Sequence, residues 1–412
     1  MDLFSEIDLK TDSYQNLIYG ANQNKQTYYL EDSRLGFVIK NIKLEKTNDS
    51  SMDVGIVLNS LSAGGISTKT VTGPQFSDAI NRYSSVDGTP FVKEAYVKIY
   101  KFLKPGVTAV FGRQSFMLGQ GIALSDNGAG IPGVKLEMEN LLGRIKMDVF
   151  GFRIWKEPEF AKTYGAAVYY PAVEGLWNLY YVFEHDKTTG RELNYIAKSR
   201  LKKFAGIRYF LSHKRLNFDG ELVLQDGSAV KTSGEKVKYK GHAFLIKGAW
   251  IQKLGKFGDS KMRLSFGKSS GNDSGAGGED KAFFPSFGHK YKAIERDGFG
   301  DIIGATLYDI IKTTDTLNGL PEGSSGMYVV NLGMTLPYKK LLLAVDVFRF
   351  RVTKNIVSKA GNIGQETDFK ISYPMSEHFK LTAVYSAFKP GDIFYGNPQA
   401  TKLISFLANA KF

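Results

Sequence analysis

The sequence predicts an all-β fold: a transmembrane, antiparallel, up-and-down β-barrel of about 18 strands, of the outer-membrane type. Three observations predict it. Apolar and polar residues alternate with period two through one segment after another, which gives each segment one apolar and one mixed face. Short turns and long polar connections join these segments in alternation. The last segment ends on Phe412, with Ile404, Phe406, Ala408 and Ala410 on one face and Ser405, Leu407, Asn409 and Lys411 on the other. A single sheet with one apolar and one charged face has no core to fill. It is stable where lipid covers the apolar side and water the other.

Taken in order, the first strand is 2–10, where Leu3, Ile7 and Leu9 alternate with Phe4, Glu6, Asp8 and Lys10. A polar connection follows to residue 33, then a strand near 34–40, a turn at Thr47–Ser51 and a strand at 52–62. The connection 63–89 is long. The strand 90–102 carries Glu94 and Lys98 on one face and Ala95, Val97 and Ile99 on the other. Lys104-Pro105-Gly106 turns the chain into 107–116. The same pattern places strands near 132–140, 143–155, 163–171, 176–185, 204–212, 216–226, 241–253, 261–270, 326–336, 341–352, 366–374, 378–388 and 401–412. Long connections are expected at 117–131, 186–203, 227–240, 271–325, 353–365 and 389–400, with 156–162 shorter. Both termini then lie on one side of the membrane, and the whole of 1–412 is one barrel with notable external loops at 63–89 and 271–325. Segment 2–10 must pair with 401–412, because an open sheet edge cannot lie in lipid. Tyr96, Tyr100, Tyr169, Tyr170, Tyr180, Tyr181, Tyr209 and Phe210 stand at segment ends, as interfacial aromatic girdles do.

Composition is consistent with this reading. No run of 18 uninterrupted apolar residues exists, so no transmembrane helix is indicated, and strands escape that test because only alternate residues need be apolar. Met1-Asp2-Leu3-Phe4-Ser5-Glu6 is not a signal peptide; a barrel bound for the outer membrane needs one, so Met1 is read as a mature or recombinant start. The formal charge is +13, but the bases recur singly within strand-like segments and form no compact nucleic-acid-binding patch. Channel walls are lined in that way.

Signals of catalysis are poor. The histidines His185, His213, His242, His289 and His378 form no metal-spaced pair, and no nucleophile elbow, P-loop or dinucleotide fingerprint occurs. No enzyme and no cofactor is expected. Gly119-Gln120-Gly121 and Gly128-Ala129-Gly130 read as flexible loop. Arg in lipid is expensive, so Arg113 is expected to face the lumen. By inward parity the pore-lining, substrate-contacting candidates are Arg113, Arg144, Lys146, Asp148, Arg208, Glu221, Lys247, Arg263, Asp346, Arg349, Arg351, Asp368 and Lys370, with Glu94 beside them. Arg349 and Arg351 are out of phase with Asp346, which points to a bulge or to rim positions outside the hydrocarbon. Surplus bases would attract anions, and the planar fork of Arg suits carboxylates.

Phe111-Gly112-Arg113-Gln114 followed by Gly119-Gln120-Gly121, the Ser270-Gly271-Asn272-Asp273 loop opening onto Phe283-Phe284-Pro285-Ser286-Phe287-Gly288-His289, Gln225-Asp226-Gly227, and Gly364-Gln365-Glu366-Thr367-Asp368-Phe369 followed by Phe388-Lys389-Pro390-Gly391-Asp392 together resemble the alginate-export family of outer-membrane porins. Asn272 interrupts the family's S-G-D. The resemblance implies an 18-stranded barrel passing anionic exopolysaccharide, and Phe412 as the signal read by the insertion machinery. The expected function is passive diffusion of anionic exopolysaccharide or other acidic carbohydrate through a basic-lined lumen, with anionic polysaccharide or small anionic solutes and outer-membrane lipid as partners. The region 290–325, with Asp301-Ile302-Ile303 and Asp309-Ile310-Ile311, is expected to fold as a small plug or helix. The alternative is a structural barrel that anchors a secretion, adhesion or motility complex through periplasmic or envelope partners, suggested by the long loops and the charges Lys198, Arg200, Lys202 and Lys203.

Overall fold

The structure is a computed structural model and describes residues 1–16, 25–44, 49–65, 87–154, 161–172, 174–186, 199–230, 234–273, 278–292, 295–307, 323–394 and 399–412. Most of 63–89, and Lys198 and Asp309–Ile311, lie outside these residues. Eighteen antiparallel strands form a closed wall. They are β1 Asp2–Gln15, β2 Lys25–Lys43, β3 Ser51–Gly65, β4 Phe91–Tyr100, β5 Val107–Gln114 and β6 Ile131–Leu141. Next come β7 Ile145–Ile154, β8 Ala161–Pro171, β9 Gly175–Asp186, β10 Ser199–His213, β11 Leu216–Val230 and β12 His242–Lys253. The last are β13 Asp259–Ser269, β14 Ser324–Tyr338, β15 Leu341–Asn355, β16 Asn362–Pro374, β17 Phe379–Pro390 and β18 Thr401–Lys411. Each pairs with its neighbours in sequence, and β18 returns to β1 with Ala408 opposite Leu9 and Ser405 opposite Asp12. That pairing removes the free edge, as the lipid environment requires.

The strand parity follows the alternation. Leu9, Leu35, Leu58, Val149, Leu179, Leu222, Ile246, Leu264, Leu332, Val347, Phe369 and Phe406 face outward and are exposed, forming an apolar belt around the barrel. Their neighbours point inward, where the buried residues include Glu184, Glu221, Glu366 and Asp368. This is the inverse of a soluble protein, in which carboxylates are the last residues to be buried.

Several strands run farther than alternation indicated. β1 continues through Thr11–Gln15 and β2 begins at Lys25, both within what reads as a polar connection. Beyond the apolar belt the outer face of the wall meets water and carries few apolar residues to signal a strand, while the inner face packs, with Tyr14, Tyr28 and Leu30 buried. Arg200, Lys202 and Lys203 are wall residues for the same reason, not loop charges. The aromatic expectation is half right. Tyr170, Tyr181 and Tyr209 face outward, but Tyr96, Tyr100, Tyr169 and Tyr180 share the inward face of their strands, where the Tyr100 hydroxyl donates to Asp53 (2.8 Å) and Tyr180 to Glu221. A Tyr hydroxyl pairs as well with a lumenal carboxylate as with a lipid headgroup.

Candidate channel constriction

The lumen is not an empty tube. Two connections expected outside the barrel fold into it. The first, residues 115–130, leaves β5 and closes on itself: Ser115 Oγ donates to Asp126 Oδ2 (2.9 Å), Leu118 N to Leu124 O (2.9 Å) and Asp126 N to Phe116 O (2.7 Å). Phe116 packs on the inward rings of Phe150 and Phe152, with centroids 4.8 and 4.7 Å away. Its tip is held by the far wall. Arg208 Nη1 donates to Gly119 O (2.9 Å), Gln120 Nε2 to Leu245 O (3.1 Å) and the Gln120 N–H to the Glu221 carboxylate.

The second, Phe283 to Leu307, runs across the lumen. It starts at β9–β11, where Phe284 N donates to Gln225 Oε1 (2.8 Å), Lys202 Nζ to Pro285 O (3.3 Å) and Ser286 Oγ to Glu184. Its middle pairs with the first segment: Ser286 N and Phe287 N donate to Ala123 O (3.0 and 3.2 Å), and His289 N to Gly121 O (2.7 Å). Asn127 fastens the joint, donating to Gly288 O (2.7 Å) and accepting from Tyr291 N (3.1 Å). Gly121 has φ +78°, and a Cβ there would stand 2.6 Å from the His289 Cβ, so the close approach requires glycine. The segment then reaches the opposite wall. Glu295 pairs with Lys10 of β1, and Asp301 with Lys370 of β16 (2.8 Å). The Ile302 and Ile303 N–H groups donate to Glu366 (2.6 and 3.0 Å). Among the described residues of 290–325 no helix forms; the bends at Asp301–Ile303 aim backbone N–H groups at wall carboxylates instead.

Between these segments and β10–β12 a gap of about 320 Å³ remains, lined by Met117, Gln120, Arg208, Asp219, Leu245, Lys247, His289, Asp297, Phe299 and Thr306. Most of its charge is already paired. Arg208 grips Asp219 with two parallel bonds of 2.7 Å, and His289 Nε2 lies 2.9 Å from Asp297 Oδ2. The imidazole contact, with Lys292 and Lys247 nearby, holds the Asp297 carboxyl below the usual range despite partial burial. Lys247 differs. It projects exposed into the gap and has no hydrogen bond or ion pair among the described residues.

Of the residues expected to line the pore, Lys146, Asp148, Arg208, Glu221, Lys247, Arg263, Asp346, Asp368 and Lys370 face inward, as does Glu94. Arg208, Glu221 and Lys247 meet at or beside the gap. Lys146, 3.8 Å from Asp148, and Arg263, 2.7 Å from Asp346, form ion pairs elsewhere on the wall. Four expectations are corrected. Arg113 lies opposite Ala95 on the outer side of the sheet at the end of β5. Its guanidinium donates to Lys93 O (3.2 Å) and Ala129 O (2.8 Å), so the cost of burying it is met by backbone carbonyls and not by a turn into the lumen. Arg144 sits exposed in the short turn before β7, outside the wall. Arg349 and Arg351, opposite Val330 and Tyr328, are exposed on the outer face, with the register unbroken from Asp346 through Phe350. They lie on the outer face toward the rim; the register of β15 against β16 shifts between Phe350 and Arg351, and the shift leaves Arg351 outward. The Gly119 and Gly128 regions are packed, not flexible.

Lys202, Glu184, Gln120, His289, Asp297, Glu295 and Glu366 were not singled out by the alternation. The signal for them was Phe283-Phe284-Pro285, since a run so apolar is out of place in an external loop.

No protein-family model matches the chain, and no curated protein matches it. Solved structures do. Pseudomonas aeruginosa OpdQ is 9% identical with TM-score 0.56, covering 100% of this chain and 99% of its own. OpdL of the same organism is 11% identical with TM-score 0.55, covering 100% and 98%. OccK11 (OpdR) is 11% identical with TM-score 0.53, covering 100% and 96%. The likeness is to outer-membrane porin barrels and does not reach the alginate-export family specifically. At these identities it concerns architecture: the chain has the 18-stranded barrel fold of an outer-membrane porin.

Proposed function

We propose that the chain is one outer-membrane barrel that passes small anionic solutes by passive diffusion through the gap beside Lys247. The observation that carries this is the pairing pattern. Around the gap Arg208 is clamped by Asp219 and Asp297 contacts His289, whereas Lys247, with Asp219 and Asp297 in its neighbourhood, makes no hydrogen bond or ion pair among the described residues and keeps its ammonium available to a solute. A weak single cation attracts an anion without trapping it, as conduction requires. Arg208 and Glu221, fixed by Asp219, Tyr180 and the Gln120 N–H, shape the gap. Lys146, Asp148, Arg263, Asp346, Asp368 and Lys370 hold the wall and the inward segments.

The motif resemblance implies passage of an anionic polysaccharide; the two segments folded across the lumen favour a small solute instead. Anchoring of an envelope complex is not supported by any feature of the described residues. Planar-bilayer recordings with a salt gradient test the proposal. Anion preference that falls on Lys247→Gln is expected; cation preference unchanged by that substitution, or no conductance at all, sinks it.

A further inference from the structure

Three exposed or half-exposed cations on the outer face do not belong to the channel. Lys268 on β13, Arg349 and Arg351 on β15 all point away from the lumen. Tyr328 of β14 lies directly between Lys268 and Arg351 in register, and Val330 between Phe266 and Arg349. With strands about 4.8 Å apart, the three side chains span roughly 10 Å. None has a hydrogen bond or ion pair among the described residues. The acids are elsewhere: on β10–β11 the outward Lys203 faces Asp226, whereas Gln365 and Asn362 are what β16 sets beside the two arginines.

Their height is fixed by what lies beneath. Leu264, Leu332 and Val347, one or two outward positions toward the short turns, belong to the exposed apolar belt. Above the belt stands an aromatic ladder, with Phe244 to Phe266 at 5.3 Å and Phe266 edge-on to Tyr328 at 5.1 Å. Such girdles mark the level where acyl chains give way to headgroups. The cations interleave with it: Lys268 and Arg351 are in register with Phe244 and Tyr328, and Arg349 shares a row with Phe266 and Val330, so all three stand at the headgroup level. Arg presents a planar fork that binds phosphate bidentately, and Lys adds a point charge.

The geometry points to a lipid-phosphate site: Lys268, Arg349 and Arg351 clasp the phosphorylated headgroup of a lipid in the outer leaflet, whose chains lie along Phe266, Leu264 and Leu332. This rests on the membrane placement in the proposed function but not on conductance.

The test uses the purified full-length barrel in detergent, with diphosphoryl lipid A and its dephosphorylated counterpart as probes and native mass spectrometry as readout. Retention of the diphosphoryl form is expected, at least tenfold above the dephosphorylated form and unmoved by millimolar inorganic phosphate. The triple variant Lys268→Gln, Arg349→Gln, Arg351→Gln should lose that tenfold preference while keeping its heat-modifiable mobility, which reports the folded barrel. A second variant, Lys203→Gln, should keep the preference. Equal retention of both lipids, an unchanged triple variant, or displacement by inorganic phosphate overturns the site. A non-conducting barrel that still selects the phosphorylated lipid overturns the channel alone.

Discussion

Inverting the charge at Lys247 tests the channel at its most exposed point. An ion passing about 5 Å from the ammonium feels roughly 0.8 kcal/mol in water. Salt at about 0.1 M, with a screening length near 10 Å, reduces this to roughly 0.5 kcal/mol. Lys247→Glu counts twice, raising the energy of an anion by about 1 kcal/mol and lowering that of a cation by as much. The permeability ratio therefore shifts by about 2 kcal/mol, roughly thirtyfold, and Lys247→Gln gives about half the energy and some fivefold. Because Lys247 has no ion-pair partner among the described residues, neither change orphans a buried charge, and the fold should be unaffected. The assay is the reversal potential under a tenfold potassium chloride gradient, with single-channel current recorded alongside. A ratio that moves less than twofold for Lys247→Glu, at undiminished current, would falsify the assignment of the gap as the path of ions.

Other outcomes follow from the same contacts. Lys202→Met removes the buried ion pair with Glu184 and the bond from Lys202 to Pro285 O; breaking such a pair costs about 3–5 kcal/mol, so Phe283–His289 should loosen and single-channel conductance should rise. Gly121→Ala at φ +78° strains the joint by about 1–2 kcal/mol before its contact with His289 is counted, and should raise open-channel noise. The Asp297 carboxyl is depressed, so its contact with His289 contributes at pH values above the ordinary carboxylate range and is lost as pH falls through its lowered value; current should be steady down through the ordinary carboxylate range and become noisy only below it, and Asp297→Asn should be noisy throughout. Deleting Phe412 removes its two backbone bonds to Ser5 (2.9 and 3.0 Å) and the stack on His378, and should slow assembly, scored by heat-modifiable mobility, more than it alters the conductance of barrels that do form.

The wall was legible because lipid imposes a rule on every second residue. Where that rule lapses the reading lapsed: Thr11–Gln15 and Lys25–Ser33 stand in the sheet beyond the apolar belt, with Tyr14, Tyr28 and Leu30 buried on the inner face and mostly polar residues outside, and their polarity does not set them apart from a loop. Strand parity agrees with the observed register in turning Lys146, Asp148, Arg208, Glu221 and Lys247 toward the lumen; that they line a path for solute is our proposal. It could not place Arg113, because the end of β5 offered carbonyls as an alternative to the lumen. The constriction was largely hidden. It is built from contacts between residues far apart in sequence, such as Gly121 with His289 and Glu366 with Ile302, and no period in either segment records its partner. The motifs did mark the right stretches. The GQG and FFPSFGH segments are the two pieces that meet inside the barrel.

A barrel wall is a hoop whose hydrogen bonds run around its circumference. Such a hoop resists stretching but flattens easily, because flattening only bends it. The Phe283–Leu307 segment adds a spoke, fastened at one end to Glu184, Lys202 and Gln225 and at the other to Lys10, Lys370 and Glu366. Bilayer tension or lateral pressure that would ovalise the rim must first stretch or compress this spoke. Its attachments are charged groups and backbone bonds in a confined lumen, so the load falls on the same contacts that set the width of the gap. In this barrel the stiffness of the wall and the calibre of the channel are a single mechanical property.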